Sequence, residues 1–158
     1  MTSRRQATLF LNSRPIVHGI RREFNPAQAA LIAPHVTLCR EDEVADWDSL
    51  ASHCHELKPL ILELEFGSPV RDGDLVYLPC IGGVADFDDL RNKLLGAEAR
   101  KHDAHITLIH PRNAACDDSI FDEICTRVVP FVHRFSSVSL IQQTNGGVWE
   151  TLETIELI

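Results

Sequence analysis

The sequence predicts an α+β fold arranged as a two-lobed, pseudo-twofold duplication, and three observations carry that expectation. "PHVTL" (Pro34 to Leu38) and "AHITL" (Ala104 to Leu108) write His, an apolar residue, Thr and Leu in one order, with His35 and His105 70 positions apart. The elements around both copies follow one order: helix, motif strand, helix, strand, turn, strand. The spacings agree too: Trp47 lies 12 residues after His35 and Asp117 lies 12 after His105, while the next strands start at Leu60 and Phe131, 25 and 26 residues downstream. Shared order in shared phase marks an internal repeat even where the copies differ in sequence. The copies run over about 25–82 and 86–158 of one 158-residue domain, with no linker or low-complexity tract between them.

Taken in order, "ATLFL" (Ala7 to Leu11) is a short strand, and "NPAQAALI" (Asn25 to Ile32) is a helix with Asn25 as its cap and Pro26 in its first turn. Pro34 ends it, and "HVTLC" follows as a strand with β-branched content. "DWDSLASHCHEL" (Asp46 to Leu57) places apolar residues at helical spacing behind an acidic first turn. "LILELEF" (Leu60 to Phe66) alternates as a half-buried strand does, Arg71-Asp72-Gly73 turns, and "DLVYLPCI" (Asp74 to Ile81) returns as its hairpin partner. In the second copy, "DFDDLRNKLLG" (Asp86 to Gly96) is a helix closed by Gly, "AHITLIH" a strand, and "DDSIFDEICTRVV" (Asp117 to Val129) a helix. "FVHRFSSVSLIQQ" and "VWETLETIEL" complete it as strands around the turn Asn145-Gly146-Gly147.

A chain of this length buries a core without disulfides or metals. Five Cys with no Cys-x-x-Cys pair fit reduced thiols and a cytoplasmic setting. The apolar run Ala7 to Leu11 is far below a signal-peptide core, and no stretch approaches a membrane span. The formal charge of -8 argues against an extended nucleic-acid-binding surface or an anionic membrane as partner. Any phosphate bound is bound locally, by a protein expected to be a monomer.

The strand period of two puts His35 and Thr37 on one face of their strand and Val36 and Leu38 on the other, and divides His105 and Thr107 from Ile106 and Leu108 in the same way. With the apolar faces packed under helices, a twofold arrangement brings two imidazoles and two hydroxyls together across a cleft. Displacement at a phosphodiester needs a base for the attacking oxygen and an acid for the departing one. Imidazole titrates near neutrality and supplies either form at one pH. Thr hydroxyls donate to the non-bridging oxygens. This scheme needs no metal and no other cofactor. One His-x-Thr is weak evidence, since chance gives about 0.4 matches in a chain of this composition, but two in equivalent phase are specific.

Arg112, with its forked donors, is placed with Thr37 and Thr107 among the phosphate contacts. Arg40 reads as a surface residue, Tyr77 as a sheet-packing residue, and His110 as the end of its strand before Pro111. His53-Cys54-His55 and His102-x-x-His105 look like short ligand clusters, yet on a helix His53 and His55 point about 200° apart, and no metal ligand is assigned.

The two His-x-Thr-apolar motifs and the order of elements around them resemble the two-histidine phosphoesterases, also called the 2′-5′ RNA ligase-like or cyclic phosphodiesterase superfamily. The resemblance spans nearly the whole chain. It implies two antiparallel sheets around a central V-shaped cleft with helices outside, His35 and His105 as the catalytic acid/base pair, and Thr37 and Thr107 at the phosphate. It also implies that His105 activates water and His35 protonates the leaving oxygen when a 2′,3′-cyclic phosphate opens. The expected function is metal-independent hydrolysis of a nucleotide-type phosphodiester, foremost a 2′,3′-cyclic phosphate on a small nucleotide or an RNA terminus. The alternatives are 2′-5′ ligation or 2′-5′ linkage cleavage, a binding module without turnover, and a metal-dependent hydrolase.

Overall fold

Asp46 and Asp117 start two of the helices, at the residues where the predicted helical segments open. The Asp46 carboxylate accepts from the backbone N–H groups of Asp48 and Ser49, and Asp117 accepts from that of Ile120. A computed structural model describes all 158 residues. It contains β1 (Ser3–Phe10), α1 (Pro15–Phe24), α2 (Pro26–Leu31), β2 (His35–Cys39), α3 (Trp47–Glu56), β3 (Leu62–Phe66), β4 (Val70–Asp72), β5 (Leu75–Gly82), α4 (Val84–Leu95), β6 (His105–Ile109), α5 (Asp118–Arg127), β7 (Phe131–Phe135), β8 (Ser137–Thr144) and β9 (Glu150–Glu156).

The strands run antiparallel along one path, β7-β3-β5-β6-β2-β1-β8-β9, with β4 paired to β5. At the centre β2 and β6 touch through a single pair, Val36 opposite Ile106. These residues hold the same place in the two motifs, so the local twofold passes through this pair. It divides the path into two four-stranded sheets, β7-β3-β5-β6 and β2-β1-β8-β9, curled around the cleft as the α+β, two-lobed expectation has it.

The lobes draw on both halves of the chain. β2 lies in one sheet and β3, β4 and β5 in the other, while β6 and β7 join the latter and β8 and β9 the former. The unit that the twofold repeats is β-α-β: β1, α1 and β2 on one side, β5, α4 and β6 on the other. Phe10 lies beside His35 as Pro79 lies beside His105. A sequence pattern records element order but not which edge each strand takes. "FVHRFSSVSLIQQ" accordingly splits at Ser136 into β7 and β8, which sit in different sheets.

Three further local differences follow from burial. Helix α1 lacks a side-chain cap and carries Gly19 in mid-course, so Pro15 in its first turn is its one start signal, and Val17 and Ile20 seal it to the core. Asn25 precedes α2 but makes no capping bond. It is 1% exposed, and its amide donates to Asn113 Oδ1 and accepts from the His110 N–H, both at 2.8 Å. The turn at Gly73 (φ 60) joins β4 to β5, while β3 pairs with the far end of β5 through Glu65 opposite Gly82 and Phe66 opposite Cys80. At the predicted Asn145-Gly146 turn both residues have positive φ, 52 and 69, and the Gly147 N–H donates to Thr144 O at 3.0 Å, as a β-turn with two left-handed central residues requires.

Val36, Leu38, Ile106 and Leu108 are at most 1% exposed within a 30-residue apolar core, each worth about 1.5–3 kcal/mol of burial. One buried ion pair ties the motif strands together from behind. Arg91, 2% exposed, donates to Leu38 O at 2.6 Å, to Glu43 Oε2 at 2.6 Å and to Arg100 O at 2.9 Å. The end of β2 is thereby fixed to α4 and to the loop that enters β6.

Candidate active site

Both motif strands alternate as the pattern requires, with His and Thr half-buried on one face and apolar residues buried on the other. The twofold extends to the imidazole hydrogen bonds. His35 Nδ1 lies 2.8 Å from Ala33 O, and His105 Nδ1 lies 2.8 Å from Asp103 O, the carbonyl two residues back in each case. A carbonyl only accepts, so each Nδ1 carries a proton and each Nε2 is left to exchange one with a ligand. An aromatic ring packs edge-on against each: Phe10 against His35 at 6.2 Å and Tyr77 against His105 at 5.8 Å.

His35, Thr37, His105, Thr107 and Arg112 all line one cleft of about 370 Å³. Four more arginines join Arg112 there: Arg4, Arg5, Arg21 and Arg40. The cleft acids are already engaged, Asp42 with Arg100 at 2.9 Å and Glu41 with the backbone N–H of Arg5. On a chain of net charge -8 this cleft gathers five arginines in one place.

Burial pushes the His35 imidazole down from 6.5 to about 4. The Ala33 carbonyl opposes that fall, and the charges of Arg21 and His105 add to it. Free His35 is therefore neutral at pH 7. Burial also holds Arg21 down to about 10, still a cation at neutral pH. Arg21 is 2% exposed, donates to Ile32 O at 2.8 Å and borders the cleft. Sequence reasoning missed it with its helix; the available signal was the apolar spacing Val17, Ile20, Phe24, which places Arg21 on the inward face.

Two other groups escaped the motif search. Gln6 donates to Thr37 Oγ1 at 3.0 Å and to Thr8 Oγ1 at 2.7 Å, which leaves the Thr37 hydroxyl proton to donate into the cleft. His102 Nε2 donates to Thr37 O at 3.1 Å, joining the strap before β6 to the other motif strand, and burial, then Arg91 and Arg40, push its imidazole down to about 4.

Of the residues read as bland, Arg40 and His110 border the cleft, whereas Tyr77 faces a neighbouring recess beside His105. His110 titrates below its ordinary value, through burial and then the Arg112 charge. It is steadied by Asn25, whose partner Asn113 also holds the cleft residue Gln28 at 2.8 Å. Of the ligand-like clusters, His53-Cys54-His55 comes apart, with Cys54 buried between the exposed His53 and His55 and His55 paired with Glu153 at 3.1 Å, whereas the His102 and His105 rings lie 6.0 Å apart as a pair. No three His, Cys, Asp or Glu side chains converge as metal ligands would. No helix is long and apolar enough to cross a membrane.

No protein-family model and no curated protein matches the chain in sequence. Solved structures match it from end to end. E. coli LigT complexed with phosphate superposes with a TM-score of 0.62 at 17% identity, over 98% of this chain and 96% of that one. E. coli LigT complexed with 3′-AMP gives 0.58 at 15% identity, over 98% of both. A structure described as a phosphoesterase gives 0.59 at 15% identity, over 99% of both. At such identities it is the fold that is shared, and this chain has the fold of LigT over nearly its full length.

Proposed function

We propose that the protein is a phosphoesterase that hydrolyses a nucleotide-type phosphodiester, foremost a 2′,3′-cyclic phosphate, by paired-histidine acid/base catalysis. The observation that carries this reading is the matched pair of imidazoles, each with Nδ1 spent on a backbone carbonyl, on the wall of one arginine-rich cleft. LigT, which shares the fold, has been crystallised with phosphate and with 3′-AMP.

In this scheme Thr37, Thr107 and Arg112 hold the non-bridging oxygens, and a water oxygen attacks phosphorus. One Nε2 takes the water proton while the other gives its proton to the departing ribose oxygen, so one P–O bond forms, one breaks, and a monoester remains. Burial keeps free His35 neutral, the form that accepts a proton. This favours His35 as base and His105 as acid, the reverse of the order the resemblance implies. The arginine cluster offsets the charge that develops on the phosphoryl oxygens.

The test is a panel of 2′,3′-cyclic nucleotides, cyclic-phosphate-ended oligonucleotides and 2′-5′-linked oligonucleotides, offered with a chelator present. Turnover of the cyclic phosphates to monoesters is expected, with His35→Ala and His105→Ala each reducing kcat/KM about 10²- to 10⁴-fold. A chelator-sensitive activity, or either variant retaining most of it, contradicts the proposal.

A further inference from the structure

Two recesses flank the histidine pair in positions that the twofold relates, and their chemistry differs. The recess beside His105, about 510 Å³, takes in Pro79, His102 and Asp103 together with Arg40, Asp72 and Lys101. Its counterpart near His35, about 430 Å³, takes in Phe10, Ile32 and Ala33. Phe10 pairs with His35 as Pro79 pairs with His105, and Ile32 and Ala33 stand 70 positions before His102 and Asp103. Nine of the 12 residues lining the His35-side groove are apolar, and none is Asp, Glu, Lys or Arg. The same place in the fold is charged on one side and apolar on the other.

The apolar groove adjoins the catalytic cleft, with Ile32 and Trp149 bordering both. Trp149 is held from several directions. Its backbone N–H donates to Leu31 O at 2.9 Å, and the Arg4 guanidinium lies 5.3 Å from its ring centroid. Arg4 in turn donates to Gln143 Oε1 at 2.7 Å, and Gln143, 5% exposed, donates to Gly147 O at 2.9 Å in the same hairpin. Arg4 borders the cleft but not the groove. A large flat ring is thus fixed in advance at the junction of the arginine-lined cleft and the mainly apolar groove, so little ordering is left to oppose binding.

We propose that this groove is a subsite for the nucleobase of the substrate, with Trp149 as the platform on which the base stacks. The inference rests on the reading of the cleft as the site of a nucleotide phosphate, and it adds where the rest of the nucleotide lies: on the His35 side, away from the charged recess. Every base has a π face, so stacking on Trp149 admits all four, and any preference among them falls to Asn12, His18 and Thr151, the polar groups that line the groove.

Binding tests this without turnover. The chain has two Trp, so Trp47→Phe leaves Trp149 as the sole indole reporter. Adenosine 3′-monophosphate, ribose 3-phosphate and inorganic phosphate are titrated by fluorescence and by calorimetry. The expected result is quenching by the adenosine nucleotide alone, which binds about 5- to 150-fold more tightly than ribose 3-phosphate. By calorimetry, Trp149→Ala removes that advantage, leaves ribose 3-phosphate binding unchanged, and is rescued by Trp149→Phe. Equal affinities of the two organic phosphates for the Trp47→Phe protein, or equal weakening of both by Trp149→Ala, overturn the subsite and leave the cleft assignment standing. Failure of all three to bind overturns both.

Discussion

Acidification from pH 7 toward pH 5 destabilises the fold through the two imidazoles packed around the motif strands. His35 and His102 each titrate at about 4 in the folded chain, against an ordinary 6.5, chiefly because burial penalises the cation. Between those two values the unfolded chain holds a proton on each ring that the folded chain does not. Unfolding therefore takes up protons, and its free energy falls as the pH falls. The loss begins as the pH drops through 6.5 and is complete below about 4. For each ring the fall from 6.5 to about 4 corresponds to up to about 3 kcal/mol, with a slope near pH 5 of about 1 kcal/mol per pH unit. Against a typical total of about 5–15 kcal/mol that is a large fraction. His110 and His133, also lowered by burial, add with the same sign. Glu43, held by Arg91 down to about 2, loses its contribution only below the ordinary carboxylate range. The interval from pH 7 to pH 5 thus isolates the imidazoles. Urea unfolding at four pH values across it should show a falling midpoint at constant m-value, and His35→Gln should flatten the slope by about one ring's share. A midpoint that does not move from pH 7 to pH 5, or a slope unaltered in His35→Gln, refutes the reasoning.

The buried pair behind the motif strands gives a second prediction: Arg91→Met takes from the Glu43 carboxylate, 6% exposed, its buried partner, leaving it Arg100 at 3.3 Å and the Arg40 N–H, and should cost about 1–3 kcal/mol in urea unfolding. Arg91→Met with Glu43→Leu should recover most of that, and a single-variant cost under about 1 kcal/mol contradicts the network. The division of roles between the histidines is read with a p-nitrophenyl phosphodiester, whose leaving group needs no proton. His105→Ala should keep most of its activity on that ester while losing it on a cyclic phosphate, and His35→Ala should lose both. The opposite pattern makes His105 the base.

The sequence shows what lies within one strand or one helix. The His-x-Thr strands, the Asp46 and Asp117 caps and the Asn145-Gly146 turn are each decided by residues within a few positions of one another, through strand alternation, backbone capping and the tolerance of positive φ. What it conceals is decided by pairing across the chain. β1 takes the place beside β2 that β5 takes beside β6, so the lobes interleave the two halves of the chain. The cleft follows the same division. The five predicted site residues sit on or just after β2 and β6, whereas Arg4, Gln6, Arg21 and Trp149 reach the cleft from β1, α1 and the loop before β9. Nothing in the local sequence marks Arg4, Gln6 and Trp149, because their position depends on β1 closing against both β2 and β8, whereas Arg21 is marked by the apolar spacing of its own helix.

The central claim is that the two imidazoles address one phosphate, and a crystal structure with a nucleoside 2′-monophosphate bound tests it most directly. The account predicts Nε2 of His35 and Nε2 of His105 each within hydrogen-bonding distance of an oxygen on the same phosphorus, with the Thr37 and Thr107 hydroxyls on its remaining oxygens. A phosphate held by only one of the rings, or seated among the arginines away from both, contradicts it.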